Sequence, residues 1–274
     1  MRVIGICRFS YPALGGFRRM HDSIEDREAY LYQSSRMDLR FRHFETLTLP
    51  SIAAQSDPDF TFLILVGESL PEIWRSRLET LIAPVPQIRL VASPPMKHRL
   101  AMQLAIQEEL GSNTTDSLQF RLDDDDAVNL NFVRRSRKLM GRSERIHRHA
   151  RNMAVEFNSG HSVILSAQGI RAAPVTAGFW ACGLAVLFRA GDPKTVMNFA
   201  HHKLHHEMPT LIHPDPDMFL RAKHDDNDSG DKFDPGELEP LTDDKRALFR
   251  SAFNVDESRV KEVFGAPAVP PGKG

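Results

Sequence analysis

Four consecutive aspartates, Asp123, Asp124, Asp125 and Asp126, follow directly on Leu118-Gln119-Phe120-Arg121-Leu122. Leu118, Phe120 and Leu122 alternate with Gln119 and Arg121, the period of a strand with one buried face. Adjacent carboxylates repel, and each raises the pKa of its neighbours. A divalent cation removes that conflict, because Mg²⁺ or Mn²⁺ takes hard oxygen ligands and completes its shell with substrate phosphates. Ligands of open α/β sheets gather beyond the carboxyl ends of the strands, which is where these acids stand. The same residues also read as an acidic turn, with Asp125 or Asp126 capping a segment that begins near Val128. One aspartate can do both.

A second acidic cluster runs His224-Asp225-Asp226-Asn227-Asp228-Ser229-Gly230. Aligned from Asp225 it starts like a calcium loop, but the twelfth position is Gly236, behind Pro235, where a bidentate Glu is needed. That argues against an EF-hand. The stretch is then a solvated acidic loop, or a loop returning to the first site. In the second case His224 is a further metal ligand, and Asp225 or Asp226 takes the proton from an acceptor hydroxyl. Asp217, between prolines and Met218, is the other candidate base. Arg8, after the first apolar run, could meet a diphosphate or a nucleobase with its guanidinium, or be an ordinary surface arginine. His98 and Arg99 open a helix and could reach the same edge. His201, His202, His205 and His206 include two i,i+4 pairs, a spacing that can ligate zinc. No H-E-x-x-H accompanies them, so they read as an exposed or cleft-lining face of a helix over 194–208.

The elements that must position these groups alternate. Residues 3–7 (VIGIC), 60–66 (FTFLILV) and 88–92 (IRLVA) read as strands. Between them lie a helical stretch from Met37, with Leu39, Phe44, Leu47 and Ile52 on one stripe and Pro50 kinking or restarting it, and a helix opened by Pro71 that buries Ile73, Trp74, Leu78, Leu81 and Ile82. A third helix over 97–110 carries Leu100, Leu104 and Ile106 into the acidic strand. Residues 18–36 read as a lid or loose helix. This order predicts an α/β fold, a mostly parallel sheet wound with helices in the N-terminal half. After a helix at 132–140, apolar strands at 153–157, 163–165 and 180–188 read as a mixed extension of the same sheet, with Asn158-Ser159-Gly160 as a hairpin-like turn. Residues 224–244 are polar and irregular, and 243–253 and 256–264 read as short helices. The boundaries are 1–223 for the main domain (nucleotide-binding half 1–126, acceptor half 127–223) and 224–274 for a mobile acidic loop, helices and tail.

Composition excludes several classes. Thirty-five basic and 36 acidic residues give a formal charge of -1 over 274 residues, with no whole-chain footprint for nucleic acid or anionic membrane. Cys7 and Cys182 both sit in apolar runs and read as buried thiols. No run approaches the ~18 apolar residues of a membrane span, and the expected location is cytoplasmic. There is neither a G-x-G-x-x-G after the first strand nor a G-x-x-x-x-G-K-[ST], which argues against a dinucleotide enzyme and a P-loop NTPase.

Read together, RFSY after the first strand, FETLTLPSIAAQSDPDF into the second, RLDDDDA at the fourth and HDDNDS late in the chain resemble the bacterial rhamnosyltransferase family, whose architecture is similar to GT-A glycosyltransferases. The resemblance covers about residues 1–230. It implies a GT-A-like fold, a nucleotide-sugar donor, Mn²⁺ or Mg²⁺ on a D-x-D motif, and glycosyl transfer, with rhamnose the sugar of the family name, to a hydroxyl of a glycan, a lipid-linked or another acceptor. Carried over by position, Asp123 faces the ribose or the metal's water shell, Asp125 is the direct metal ligand and Asp126 stands beside it. Asp124 and Asp126 also satisfy D-x-D; Asp123 and Asp125 are preferred because Leu122 is the last residue in clear alternation. A base activating the acceptor on the opposite face would give inversion. Two rivals use the same acids: a metal-dependent phosphoesterase or nucleotidyltransferase, and a calcium-stabilised sugar-binding domain without catalysis.

Overall fold

The computed structural model describes residues 1–15, 21–112, 114–224 and 238–268. In chain order the elements are β1 (Arg2–Arg8), α1 (Ile24–Leu31), α2 (Ser34–His43), a π-helical turn (Phe44–Thr48), α3 (Leu49–Ala53), β2 (Thr61–Gly67), α4 (Glu72–Ile82), β3 (Ile88–Ser93), α5 (His98–Leu110), β4 (Ser117–Arg121), β5 (Asp126–Val128), α6 (Phe132–Arg142) and α7 (Glu144–His147). There follow β6 (Asn152–Phe157), β7 (Ser159–Ser166), β8 (Gly169–Thr176), β9 (Leu184–Phe188), α8 (Leu204–Glu207), β10 (Thr210–His213), β11 (Phe219–Ala222), β12 (Glu239–Pro240), α9 (Asp243–Phe253) and α10 (Glu257–Gly265).

A seven-stranded sheet in the order β10-β6-β9-β4-β1-β2-β3 forms the centre. β1 pairs in parallel with β2 and β4, and β2 with β3, while β9 runs antiparallel between β4 and β6. The parallel half is the α/β arrangement expected. Its inner strands β1, β2 and β4 are buried on both faces, which is why they read as continuous apolar runs, while β3 is a half-exposed edge. On one face Phe62, Phe120 and Phe132 pack with α2, α4 and α6; on the other Ile4, Ile6, Leu63 and Leu65 pack with α5. Gly5 is where the first face closes most tightly, since a Cβ there would strike the rings of Phe62 and Phe120.

The second half differs from expectation in its pairing. β9, β6 and β10 do extend the main sheet, but a separate five-stranded sheet forms in the order β12-β8-β7-β11-β5. Asn158-Ser159-Gly160 is therefore no hairpin: it carries the chain from β6 in one sheet to β7 in the other. The hairpin is β7–β8, with Leu165 opposite Ile170. The strand expected from 180 begins at Leu184, after a 3₁₀ turn at Ala181–Gly183. The expected helix over 194–208 is broken into 3₁₀ turns at Val196–Asn198 and His201–Lys203 and the single turn α8, so its histidines do not share one helical face. Ile73, Leu100 and Leu104 are 49%, 46% and 46% exposed; α4 buries the expected Trp74, Leu78 and Ile82 without Ile73, and α5 buries Ala101, Met102 and Ala105 beside the expected Ile106.

α9 and α10 begin at side-chain caps, Thr242 accepting from the Lys245 amide and Asp256 from that of Ser258. Phe249, Phe253, Val255 and Val260 pack with Leu47, Ala127, Val163 and Leu220, so these helices close the outer face of the second sheet. Asp126–Val128 is the join: β5 follows the acidic strand of the first sheet and pairs antiparallel with β11 of the second. Among the described residues no helix is long and apolar enough to cross a membrane, and Cys7 and Cys182 are buried free thiols.

Candidate functional site

The pleat of β4 sorts the acids. Side chains two apart share a face, and Arg121 and Asp123 both line one cavity of about 390 Å³. Leu122 falls on the other side, 1% exposed in the core, and Asp124 follows it there to meet α2. Arg40 Nε donates to Asp124 Oδ2 at 3.0 Å and its Nη1 to Asp125 Oδ2 at 3.2 Å. The Asp126 amide then donates to the Asp123 carbonyl at 3.2 Å, folding the run back so that Asp126 also faces the cavity. Asp126 is fixed from both sides: its Oδ1 accepts from the Ala222 amide at 3.1 Å and its carbonyl from Thr48 Oγ1 at 2.8 Å. His224, two residues after β11, places Nε2 2.8 Å from Asp125 Oδ2.

These environments separate the three buried carboxyls. Burial pushes Asp124 up to about 6 against the pull of the Arg40 guanidinium, and the ion pair with that guanidinium is what favours its ionised form. Burial also acts on Asp125, but Arg40 and His224 outweigh it and hold that carboxyl below the usual range. Asp126 has weaker compensation: burial, then the charges of Asp125 and Asp123, raise it well above an ordinary aspartate. Arg40 stays charged despite burial because Asp124 and Asp125 lie against it. Asp123, Asp125 and Asp126 offer oxygens all within 4.8 Å of one another. Three carboxylates are a hard, all-oxygen donor set suited to Mg²⁺ or Mn²⁺, and the burial and repulsion that disfavour the charged form of Asp126 are what such an ion relieves. Both side-chain hydrogen bonds to Asp125 go to Oδ2. The residues fit a divalent cation.

The same cavity is also lined by cations. Arg8 ends β1, Arg99 is the second residue of α5, and Arg121 and Arg221 come from β4 and β11. His98, His201 and His202 complete this wall. Burial, then Arg8, Arg99 and Arg121, push His98 down to about 4. Burial likewise lowers Arg121, with Asp123 opposing and Arg99 and Arg8 adding to it. A pocket whose cations depress one another favours an anionic ligand. The Arg221 guanidinium lies 4.3 Å over the Trp180 ring, a cation–π contact that aims it.

The structure thus brings Arg8, His98, Arg99, Asp123 and Asp126 around one cavity, with Asp125 in the adjoining carboxylate group and His224 against Asp125. Asp225 and Asp226 lie outside the described residues. Asp217 is elsewhere, its Oδ2 3.5 Å from His161 Nδ1. His201 and His202 line the cavity, while His205 stacks on Phe179 at 4.6 Å. Sequence reasoning missed Arg40, Arg121 and Arg221. Arg121 had a signal, being two residues before Asp123 in a period-2 strand. Arg40 had a weaker one: it stands three residues after Met37 and four before Phe44, on the apolar stripe. Arg221 had none, because β11 was not expected.

A model of the protein family described as "Putative rhamnosyl transferase" matches residues 2–235, and the chain belongs to that family. No curated protein matches the sequence. Among solved structures the chain is similar to S. aureus TarS. The complex of TarS 1-349 with UDP-GlcNAc aligns over 96% of this chain and 70% of that one, at 10% identity and a TM-score of 0.49. The UDP complex aligns over 81% and 61%, at 8% identity and 0.44. For a further structure of TarS 1-349 the match is again 81% of this chain, spanning 60% of that one at 8% identity and 0.44.

Proposed function

We propose that this member of the rhamnosyl transferase family moves a sugar, rhamnose or a related deoxyhexose, from a nucleoside-diphosphate donor to a hydroxyl acceptor, with Mn²⁺ or Mg²⁺ on Asp123, Asp125 and Asp126. One observation carries the reading: carboxylates and four arginines line a single cavity at the carboxyl ends of β1 and β4. A donor diphosphate needs both. When bound, the cation would supply neutralisation of the charge that develops on the departing diphosphate. Arg8, Arg99, Arg121 and Arg221 would hold its oxygens through charge-assisted hydrogen bonds. Arg40 and His224 orient Asp125, and Arg40 also takes Asp124 out of the ligand set, which favours the Asp123/Asp125 register of D-x-D. His224 leads directly into Asp225 and Asp226, and we assign one of these the acceptor proton, with attack from the opposite face and inversion. Two buried thiols suit a reducing, cytoplasmic setting.

The test is thermal stability with UDP, GDP or dTDP, each with Mn²⁺ and with EDTA, in wild type and Asp125→Asn. One nucleotide at a hundredfold over its Kd adds about 2.7 kcal/mol, and the gain is expected only with metal and only in wild type. Metal stabilisation that ignores every nucleotide would replace this reading with a calcium-held scaffold. Turnover releasing inorganic phosphate or pyrophosphate in place of a nucleoside diphosphate would replace it with a phosphoesterase or nucleotidyltransferase.

A further inference from the structure

The chain as a whole is nearly neutral, but its charge is not evenly spread. Between positions 134 and 151 stand eight arginines and lysines and one acid, Glu144. On α6 the side chains of Arg134, Lys138 and Arg142 recur every four residues and so form one stripe, away from the buried Phe132, Val133, Ser136 and Met140. Arg137, on another flank, is neutralised by Asp57 at 3.0 Å and Asp59 at 3.3 Å. The stripe is not: among the described residues no ion pair engages Arg134, Arg135, Lys138 or Arg142. Arg134 donates to Asn131 Oδ1 at 2.6 Å and Arg135 to the Asp215 carbonyl at 3.5 Å, neither of which carries a full negative charge. These four cations, with Leu139 and His213, line a cleft of about 280 Å³. His213 Nδ1 is buried there without a hydrogen-bond partner.

The cleft is not part of the donor cavity. α6 packs on the sheet face that carries Phe62 and Phe120, whereas Met102 and Met197 of the donor cavity belong to the core of the other face. We propose that the basic face of α6 and α7 docks on an anionic lipid bilayer, with headgroup phosphates seated in the cleft beside His213. Charge complementarity selects an anionic partner. Ile146, 66% exposed on α7 between Arg145 and Arg148, selects a bilayer over a soluble polyanion, because an apolar side chain gains only where acyl chains receive it. The described part of this face exposes no Phe, Tyr or Trp ring on which nucleic-acid bases would stack. Docking of this kind would bring the enzyme to acceptors that reside in the membrane, but it does not depend on the donor reading above.

The experiment is co-sedimentation of the full chain with vesicles of phosphatidylcholine alone and of phosphatidylcholine with phosphatidylglycerol, at low and high salt. Binding is expected only to the anionic vesicles and is expected to weaken with salt. Each basic residue at such a surface strengthens binding about fivefold, so R134Q/K138Q/R142Q should lower the partition coefficient on the order of a hundredfold. I146D should lower it further, and both variants should keep the wild-type melting temperature. Absence of binding to either vesicle, equal binding to both, or a triple variant that binds like wild type would each overturn the proposal. Capture by heparin or single-stranded DNA with vesicles ignored would overturn it in favour of a soluble polyanion. Nucleotide binding is not read in this experiment, so its failure and that of the transferase reading are separable.

Discussion

Arg40→Met tests the arrangement behind the acids most directly. The substitution keeps the apolar stem and removes the guanidinium that contacts Asp124 and Asp125. Asp124 is 1% exposed, so the variant leaves a carboxylate in the core without its counter-charge. Breaking a buried ion pair from one side costs about 3–5 kcal/mol. With an unfolding entropy of about 2.1 cal/mol/K per residue, the 274-residue chain loses roughly 5–9 °C of melting temperature. Calorimetry in EDTA reads this without interference from metal. The second arm is R40M/D124N, in which the stranded charge is gone as well. Most of the loss should return, because the penalty lies in the uncompensated charge and not in the missing contact. A single variant melting within a degree of wild type, or a double variant no better than the single, would refute the assignment of Arg40 as the partner that makes a buried Asp124 tolerable.

Three further outcomes follow from other parts of the molecule. Arg121→Gln should weaken nucleoside-diphosphate binding about 10- to 100-fold, the worth of a charge-assisted hydrogen bond, measured by calorimetric titration with Mn²⁺ present. His43 is pushed down to about 4 by burial and by His224, while an unfolded histidine titrates near 6.5. Between those values the unfolded chain binds a proton that the folded chain refuses, so stability falls as pH drops from about 6.5 to 4. His43→Phe should remove about 3 kcal/mol of that slope, visible as a flatter acid limb in urea melts across the window. Phe249→Ala, at a fully buried position of α9, should cost about 3–5 kcal/mol in a single unfolding transition; a separate early transition would show that the C-terminal helices are an independent appendage.

The parallel half of the fold was legible because strands buried on both faces announce themselves as apolar runs. Residues 60–66 and 118–122 were placed to within a residue or two for that reason. β7 and β8 were harder: Ser159-Gly160-His161-Ser162 and Arg171 break the apolar pattern, since one side of this hairpin meets Phe249 and Val260 and the other is half exposed. The His201-to-His206 run looked helical by spacing, yet Phe179 holds His201 through its carbonyl and the backbone tightens into 3₁₀ turns, a tertiary constraint that local pattern does not carry. The site was legible where chemistry is concentrated in sequence, as in the aspartate run. Its cationic wall is drawn from β1, α5, β4 and β11, single arginines that read as surface residues until the fold assembles them.

The aspartate run itself carries a last prediction, because alternation and turn give its members opposite duties. Asp123 is exposed on the cavity rim and lies among three crowded carboxyls, so it adds repulsion to the metal-free fold and an oxygen to the proposed cation. Asp124 is buried on Arg40 and offers nothing to the cavity. Asp123→Asn should therefore leave the EDTA melting temperature unchanged or raise it, while Mn²⁺ affinity falls by an order of magnitude or more, as for the loss of a charged ligand of a hard cation. Asp124→Asn should do the reverse: a loss of stability of about 1.5–3 kcal/mol from weakening a charge-assisted pair, with Mn²⁺ affinity kept. Titration of Mn²⁺ by calorimetry beside each melt separates the two. If both substitutions abolish Mn²⁺ binding, the run acts as an undivided acidic turn and the pleat of β4 does not sort it. If Asp123→Asn destabilises the metal-free fold as much as Asp124→Asn, the rim carboxylate has a structural partner and its place as a ligand is lost.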